Sequence, residues 1–286
     1  MNKLGIIGGS GLYEIPGLEH VEELTVETRY GRASSPIVSG TLDDLEIAFV
    51  ARHGRGHQLN PTEVPYRANI AALKSIGVTH VLSLSAVGSL QEHLPPRTAV
   101  LPDQIIDMTR MRDRTFFECG VVAHIGLAEP FCTTFRDSVF PLAAQSAPSA
   151  HSGGTYLCIE GPQFSTRAES ILYRSWQADV IGMTAMPEAR LAREAGLCYA
   201  TVAMVTDYDV WHATEEDVTV EVVQRVMAAN VDVSREIIQK IALQGLPTCQ
   251  CGCRTAVASA VITAPDAMTA EGREILQQFS ALDISN

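Results

Sequence analysis

Short apolar runs alternate with segments of helical periodicity along most of this chain, and this alternation constrains the fold more than any other feature. The runs are rich in Val, Ile and Leu, and several are apolar at every position, as in strands that helices cover on both faces. A helical bundle or a β-sandwich would not give this pattern. We therefore predict an α/β fold in which helices flank a central mixed, partly parallel β-sheet. Strands are predicted at residues 4–7, 45–51, 80–85, 99–101, 156–160, 180–182 and 198–205.

Five helices are predicted between and after these strands, at residues 66–75, 135–144, 167–176, 186–195 and 220–243. The last helix has the clearest periodicity, and a Gly-Leu-Pro sequence at residues 245–247 ends it. No internal repeat and no linker rich in Pro, Gly or Ser divides the chain. We therefore expect one domain over residues 1–246 and a peripheral tail with a short helix over residues 247–286.

The charge balance indicates a small-molecule ligand. The 286 residues include 33 Asp and Glu against 21 Lys and Arg, which gives a formal net charge of −12. Such a chain lacks the basic surface that binds nucleic acid or an anionic membrane. Its longest apolar stretch, residues 197–205, is much shorter than the roughly 20 residues of a membrane span, and residues 1–9 do not resemble a secretory signal. We expect a cytoplasmic protein without nucleic-acid or membrane partners.

Three loops rich in hydrogen-bond donors each follow a predicted strand. They are GGSGLY at residues 8–13, RHGRGH at 52–57 and SLSAVGS at 83–89. Glycine N–H groups and the hydroxyl of Ser10 form a plausible phosphate nest, while Arg52 and His53 add side-chain donors. The first loop lacks the G-x-G-x-x-G spacing of a dinucleotide site. A simple glycine turn and a solvated basic turn remain the alternatives.

The segment TDYD at residues 206–209 follows the most apolar strand. In an extended segment Asp207 and Asp209 face the same way, and paired carboxylates raise each other's pKa. One of them could then stay protonated and act as a general acid. An Asx turn and a divalent-cation site are the alternatives. In the segment at residues 160–169, Phe164 is either a stacking platform for a planar ring or a buried aromatic beneath a helix cap.

Seven cysteines, an odd number, indicate reduced thiols rather than a disulfide framework. Three of them, Cys249, Cys251 and Cys253, form a C-x-C-x-C run near the C-terminus. Zinc would need a fourth ligand, which the neighbouring sequence lacks. We therefore expect reduced thiols and no metal.

Seven segments of this chain, in the same order, resemble segments of the 5′-methylthioadenosine phosphorylases, a branch of the purine nucleoside phosphorylase family. The resemblance runs from residue 5 to about residue 241. The matching segments are GIIGGSGL at 5–12, ARHGR at 51–55, AVGSL at 86–90, AEPFC at 128–132, IEGP at 159–162, FS with RAE at 164–169, and VTDYD at 205–209.

The resemblance implies a nucleoside phosphorylase-like fold and phosphorolysis of 5′-methylthioadenosine to adenine and 5-methylthioribose 1-phosphate, as in purine and methionine salvage. Inorganic phosphate is then a co-substrate, and no metal or organic cofactor is expected. The implied phosphate site consists of Ser10, Arg52, His53, Ser85, Ala86 and Thr184. The implied substrate contacts are Phe164, Met183, Asp207, Asp209 and His124, with Ser165, Val220 and Gln224 setting specificity.

Within this site the resemblance makes Asp207 and Asp209 the catalytic pair, with Asp207 donating toward N7 of the purine. The 6-oxopurine branch usually has Asn there, so Asp207 favours adenine. His124 matches a histidine that reaches a neighbouring subunit, which implies a homo-oligomer, either a trimer or a dimer of trimers. Gly182 stands where animal members have Asn, and archaeal members with Gly-Met-Thr are similar to this chain. Gln224 stands where relatives have a leucine beside the methylthio pocket, so it either extends the activity to adenosine or faces solvent on the long helix.

Two other functions remain open. One is a 6-oxopurine nucleoside or 5′-methylthioinosine phosphorylase, and the other is a non-catalytic nucleotide-binding protein on the same fold. The C-x-C run also resembles the ends of some archaeal relatives, in which such pairs form disulfides.

Overall fold

A mixed sheet of eleven strands lies at the centre of the protein in the computed structural model. The structure describes residues 2–9, 15–212 and 220–280, and of residues 220–225 it describes the backbone alone. The strands are β1 (Lys3–Gly8), β2 (Glu19–Leu24), β3 (Glu27–Thr28), β4 (Gly31–Arg32), β5 (Ile37–Leu42), β6 (Leu45–Ala51), β7 (His80–Ser89), β8 (Thr98–Leu101), β9 (Gln104–Asp107), β10 (Ser149–Ser152), β11 (Thr155–Cys158), β12 (Val180–Gly182) and β13 (Cys198–Asp207). The helices are α1 (Tyr66–Ser75), α2 (Thr133–Ser146), α3 (Arg167–Ser175), α4 (Ala185–Glu194), α5 (Val220–Gln244) and α6 (Ala270–Phe279).

Four neighbouring strands, in the order β13, β7, β1 and β6, are mutually parallel. Their carboxyl ends therefore lie at one edge of the sheet, where α/β proteins bind ligands. Strand β12 pairs antiparallel with β7, so its last residue, Gly182, comes back toward the middle of β7. The remaining main-sheet strands extend this arrangement on both sides, and β3 pairs with β4 in a separate small sheet.

Two hydrophobic cores cover the faces of the sheet. Along β1, Leu4 and Ile6 point into one core, and Ile7 points into the other, as the two-residue period of a strand requires. Helices α1 and α4 cover the Ile7 side, and α2 and α5 cover the opposite side. All ten residues of β13 are buried, which explains why seven of them are apolar and why they do not alternate with polar residues.

The predicted α/β class is confirmed. Every predicted strand and helix exists, with ends within a few residues of the prediction; α1, β6 and β12 have the predicted bounds. Six strands were missed: β2, β3, β4, β5, β9 and β10. The sequence of β2 is EHVEEL, and five of its six residues are exposed at the sheet edge, so it lacks the apolar pattern on which the prediction relied.

The segment after Pro247, which we expected to be peripheral, contributes buried side chains to both cores. Cys253 packs in the core beneath α2 and α5. Ile275, Leu276 and Phe279 of α6, the predicted short helix, lie in the other core, and the Phe279 ring stacks on Phe116 at 4.0 Å. Their burial needs a partner surface far away in sequence, which local periodicity does not reveal.

Within the described ranges, no helix has both the length and the apolar character that crossing a membrane requires.

Candidate active site

Arg52 joins the ends of three parallel strands. Its backbone N–H donates to Gly8 O at 2.9 Å, and its Nη2 donates to Ile7 O and to Ser83 Oγ at 3.2 and 2.7 Å. The Nη1 atom donates to Leu84 O at 3.2 Å. Arg52 therefore fixes the ends of β1, β6 and β7 relative to one another.

The guanidinium of Arg52 is fully buried and is neutralised by Glu188 of α4. Nε and Nη2 donate to the two Glu188 carboxylate oxygens at 2.9 and 3.1 Å, and the Tyr199 hydroxyl donates to the same carboxylate at 2.8 Å. This edge of the guanidinium is therefore unavailable to a phosphate. The Nη1 side has a second N–H without a partner among the described residues.

His53 is neutral near pH 7. Burial and the adjacent Arg52 charge lower the pKa of His53 to about 4. Its Nδ1 lies 2.9 Å from Leu59 O, which only accepts, so Nδ1 carries the proton. The Nε2 atom is then an acceptor. Toward a phosphate, this ring would accept a hydrogen bond from a protonated oxygen rather than act as the expected donor.

Two buried hydroxyls lie without hydrogen-bond partners next to Arg52. They belong to Ser85 on β7 and Tyr156 on β11. The hydroxyl of Thr184, at the N-cap of α4, lies near Tyr156 and makes no capping hydrogen bond. Because unpaired buried polar groups are costly, this group of hydroxyls indicates a site for a ligand with several acceptor oxygens.

Asp207 and Asp209 lie at the end of β13, and both are buried. Asp207 accepts hydrogen bonds from the Thr206 hydroxyl at 2.6 Å and from the Asp209 N–H at 2.8 Å. Gly88 of β7 lies against this pair, and a Cβ there would lie 2.9 Å from Asp207 Oδ1. The Oδ2 atom of Asp209 has no partner among the described residues.

Burial raises the pKa of both carboxyl groups. The pKa of Asp209 is about 6, because burial and the negative charge of Asp207 raise it. The nearby Ser170 hydroxyl lowers this pKa by a smaller amount. The pKa of Asp207 is also raised by burial, but its two hydrogen bonds favour the ionised form. Burial therefore favours the protonated form of both carboxyls, and the proton belongs to the pair rather than to one residue.

A cleft of about 520 Å³ is lined by Phe164 and Ser165 together with the start of α3. Phe164 is 44% exposed, so it is not buried beneath the cap of α3, and the Ser165 hydroxyl has no described partner. Arg112 donates to Glu160 and to the carbonyl of Met183, which ties one wall of the cleft to the turn before α4.

The other predicted site residues fall into two groups. Ala86 is exposed on β7 next to Ser85, and His124 is exposed in a loop, where its backbone N–H donates to Ala260 O. Ser10 lies outside the described residues, and the side chains of Val220 and Gln224 are likewise not described.

Sequence reasoning missed four residues that support the site, namely Arg112, Tyr156, Glu188 and Tyr199. Tyr156, Glu188 and Tyr199 lie in elements whose sequences carry only the apolar or amphipathic pattern of the fold, and Arg112 lies in a loop between β9 and α2. Glu188 is the one with a detectable signal, because a carboxylate within a buried helix segment needs a cationic partner.

The expectation that the C-terminal thiols lack a fourth ligand is wrong. Cys132, at the N-cap of α2, joins Cys249, Cys251 and Cys253, and the four sulfur atoms all lie within 4.8 Å of one another. The fourth thiol is more than one hundred residues away in sequence, so inspection of neighbouring residues could not find it.

Comparison with known proteins gives the same family throughout. Residues 3–242 match the model of the phosphorylase superfamily. The S-methyl-5′-thioadenosine phosphorylase of Rhodospirillum rubrum is 53% identical over 269 residues, 92% of this chain and 90% of the relative. That of Koribacter versatilis is 49% identical over 278 residues, 96% of this chain and 94% of the relative.

Solved structures agree. A methylthioadenosine phosphorylase from an antarctic soil metagenomic library superposes with a TM-score of 0.90 at 47% identity, covering 97% of this chain and 98% of that one. The methylthioadenosine phosphorylase of Schistosoma mansoni in complex with adenine superposes with a TM-score of 0.84 at 37% identity. The superposition covers 91% of this chain and 98% of that one. Fold and sequence thus assign this chain to the phosphorylase superfamily.

Proposed function

We propose that this protein catalyses the phosphorolysis of S-methyl-5′-thioadenosine to adenine and 5-methylthioribose 1-phosphate. One observation carries the proposal: the buried carboxyls of Asp207 and Asp209, whose pKa values are raised, lie at the end of β13, and the adjacent strand β7 carries the unpaired Ser85 hydroxyl beside those of Tyr156 and Thr184. The relatives named for this activity cover nearly the whole chain, and one neighbouring structure is an adenine complex.

The register of β13 against β7 supports a separation of the site along the strands into a carboxyl end, at Asp207, and a hydroxyl end, at Ser85. Asp207 pairs with Gly88, and Ser85 lies three residues earlier on β7. At about 3.3 Å per residue this separates the carboxyl end from the hydroxyl end by about 10 Å. A ribosyl group fits between a purine held by the carboxyls and a phosphate held by the hydroxyls.

The phosphate end has donors and one acceptor. Hydroxyls of Ser85, Thr184 and Tyr156, with the remaining N–H of Arg52, donate to phosphate oxygens, and His53 Nε2 accepts from a protonated one. The bound anion attacks C1′ as the glycosidic bond lengthens, and its charge stabilises the developing oxocarbenium ion. No protein nucleophile and no organic cofactor takes part.

The carboxyl end neutralises the leaving base. Negative charge builds up on the purine as the bond breaks, and a proton from the buried pair of Asp207 and Asp209 cancels it at N7. A carboxylate oxygen can also accept from the 6-amino group of adenine, which a 6-oxopurine lacks. This contact makes adenine the preferred base. Phe164, exposed at the cleft, supplies a face for stacking.

We also propose that the protein works as a homo-oligomer in the cytoplasm. His124 is exposed beside Val122 and Ile262, two large apolar residues that are 45% and 61% exposed and joined by a backbone hydrogen bond. Burial of this patch against a second subunit would remove apolar surface from water and bring His124 to the neighbour's site. Light scattering during gel filtration tests the subunit number.

The test of the reaction is adenine release from S-methyl-5′-thioadenosine with and without inorganic phosphate. Adenosine, inosine and 5′-methylthioinosine are assayed in parallel, and Asp207→Asn is the matched variant for the base contact. Phosphate-dependent adenine release is the expected result. Turnover of the inosine compounds alone would show a 6-oxopurine enzyme, and binding without any product would show a nucleotide-binding protein.

A further inference from the structure

The four thiols of Cys132, Cys249, Cys251 and Cys253 converge where α2 begins and the C-terminal segment returns to the sheet, near the start of β13, whereas Asp207 lies at the end of that strand. We propose that they bind one zinc ion, which fastens the C-terminal segment to the body of the protein. This site is independent of the proposed reaction.

The sulfur positions approach those of a tetrahedral zinc site. Neighbouring Sγ atoms are separated by 2.8 Å for Cys249 and Cys251, 2.7 Å for Cys251 and Cys253, and 3.3 Å for Cys132 and Cys251. With zinc–sulfur bonds of about 2.3 Å, tetrahedral geometry places sulfurs about 3.8 Å apart. Shifts of about 1 Å or less bring all four atoms to that spacing, since none of the six separations exceeds 4.8 Å.

The chemistry of the cluster also indicates a metal. No two of these sulfurs lie at the roughly 2.05 Å of a disulfide bond, so the structure does not pair them covalently. A thiol is a weak donor and a weak acceptor, and four in mutual contact gain little from one another. Four cysteine ligands at tetrahedral spacing are typical of structural zinc, with no open position for a substrate.

The protein around the thiols orients them as ligands. The Phe135 N–H at the start of α2 donates to Cys132 Sγ at 3.4 Å, and the Cys132 N–H donates to Tyr199 O of β13 at 2.8 Å. An N–H group at a helix N-terminus stabilises a metal-bound thiolate. Gly252, with a φ of +74°, supplies the left-handed turn that brings Cys253 back beside Cys251.

A zinc ion here would act on stability rather than on catalysis. The cluster joins residues at positions 249–253 to a helix cap more than one hundred residues earlier, so the metal closes a long loop of chain. Because the unfolded chain does not hold these thiols together, binding energy adds to the free energy of unfolding.

The experiment measures zinc per chain by plasma mass spectrometry after purification under reducing conditions and dialysis against zinc. About one equivalent is expected in the wild type, with loss in Cys132→Ser and Cys251→Ser. Serine keeps a capping oxygen for α2 in the first of these variants. Cobalt substitution should give the visible absorption of a tetrahedral site and thiolate charge-transfer bands in the near ultraviolet.

Two control variants test whether zinc binding requires thiols outside the four-cysteine cluster. Cys119→Ser changes an exposed thiol elsewhere, and Cys198→Ser changes a buried thiol beside the cluster; both should retain zinc. Zinc retained in both ligand variants, or lost from Cys198→Ser but not from Cys251→Ser, would overturn the assigned ligands. Disulfides in the untreated protein, with no zinc uptake after reduction, would overturn the site altogether.

Discussion

The hydroxyl of Tyr156 fills the space that a Cβ at position 182 would occupy. Tyr156 Cζ would also lie only 2.7 Å from that Cβ, and Val87 Cγ1 would lie 3.0 Å from it on β7. A side chain at position 182 is therefore incompatible with the present position of the Tyr156 ring. This contact accounts for the glycine at position 182, and it leaves the Tyr156 hydroxyl beside Ser85 and Thr184.

The variant Gly182→Ala should displace the Tyr156 ring and weaken the site. Overpacking in a close-packed core costs about 1–3 kcal/mol, so we expect a lower melting temperature and a raised KM for phosphate. Calorimetry and initial rates measure the two effects.

A double-mutant cycle tests whether the clash with Tyr156 causes the loss of stability in Gly182→Ala. The variant Tyr156→Leu removes the ring, so the cost of Gly182→Ala should be much smaller in that background. Equal costs in both backgrounds would show that Val87 or another neighbour is responsible.

Removing only the hydroxyl, as in Tyr156→Phe, should raise KM for phosphate. A hydrogen bond contributes about 0.5–1.5 kcal/mol, which corresponds to roughly a two- to tenfold increase. The KM for S-methyl-5′-thioadenosine should stay constant. Tyr30→Phe is the matched control, because the Tyr30 hydroxyl donates to Phe116 O outside the site. An unchanged KM for phosphate in Tyr156→Phe would remove Tyr156 from the proposed phosphate contacts.

The fold was largely predictable because its central strands and helices carry their own periodicity. Buried strands such as β6 and β13 are largely apolar, whereas the edge strand β2 is charged and was missed. The loops with Arg52 and Asp207 were found because each follows an apolar strand. Tyr156 and Cys132 were not assigned roles, because their partners lie on other elements and only the folded chain brings them together.

The buried ion pair of Arg52 and Glu188 should be essential for stability. The change Glu188→Gln leaves the guanidinium buried without a counter-charge, which typically costs about 3–5 kcal/mol. Chemical denaturation measures this loss. Asp113→Asn is the control, since Asp113 is 71% exposed in its pair with Arg67 and such pairs contribute about 0–1 kcal/mol. Similar losses in both variants would contradict a structural role for the buried pair.

Activity should decline on the alkaline side because the proton on the carboxyl pair is lost. The pKa of Asp209 is raised to about 6, so its protonated fraction falls about tenfold for each pH unit well above that value. We expect kcat/KM for S-methyl-5′-thioadenosine to fall correspondingly as pH rises. Profiles are measured at saturating phosphate, whose own ionisation affects every variant alike.

The matched variant for this pH effect is Asp209→Asn, whose amide does not titrate. Its profile should lack the decline that starts near pH 6, even if its maximal rate is lower. The same alkaline decline in both proteins would assign the titration to another group. Because the two carboxyls interact, the wild-type profile reports the pair rather than one residue.

The last prediction concerns the choice of base, which the proposed mechanism assigns to Asp207. Asp207→Asn removes one carboxyl of the pair that holds the proton for N7, so adenine release should fall by about 10²–10⁴-fold. An amide can donate to a 6-oxo oxygen, so turnover of 5′-methylthioinosine should fall much less, and the adenine to hypoxanthine preference should drop. Competing the two substrates in one reaction measures this ratio directly. If both activities fall in parallel, the carboxylate supports the reaction without selecting the base, and selectivity then resides in the cleft around Phe164.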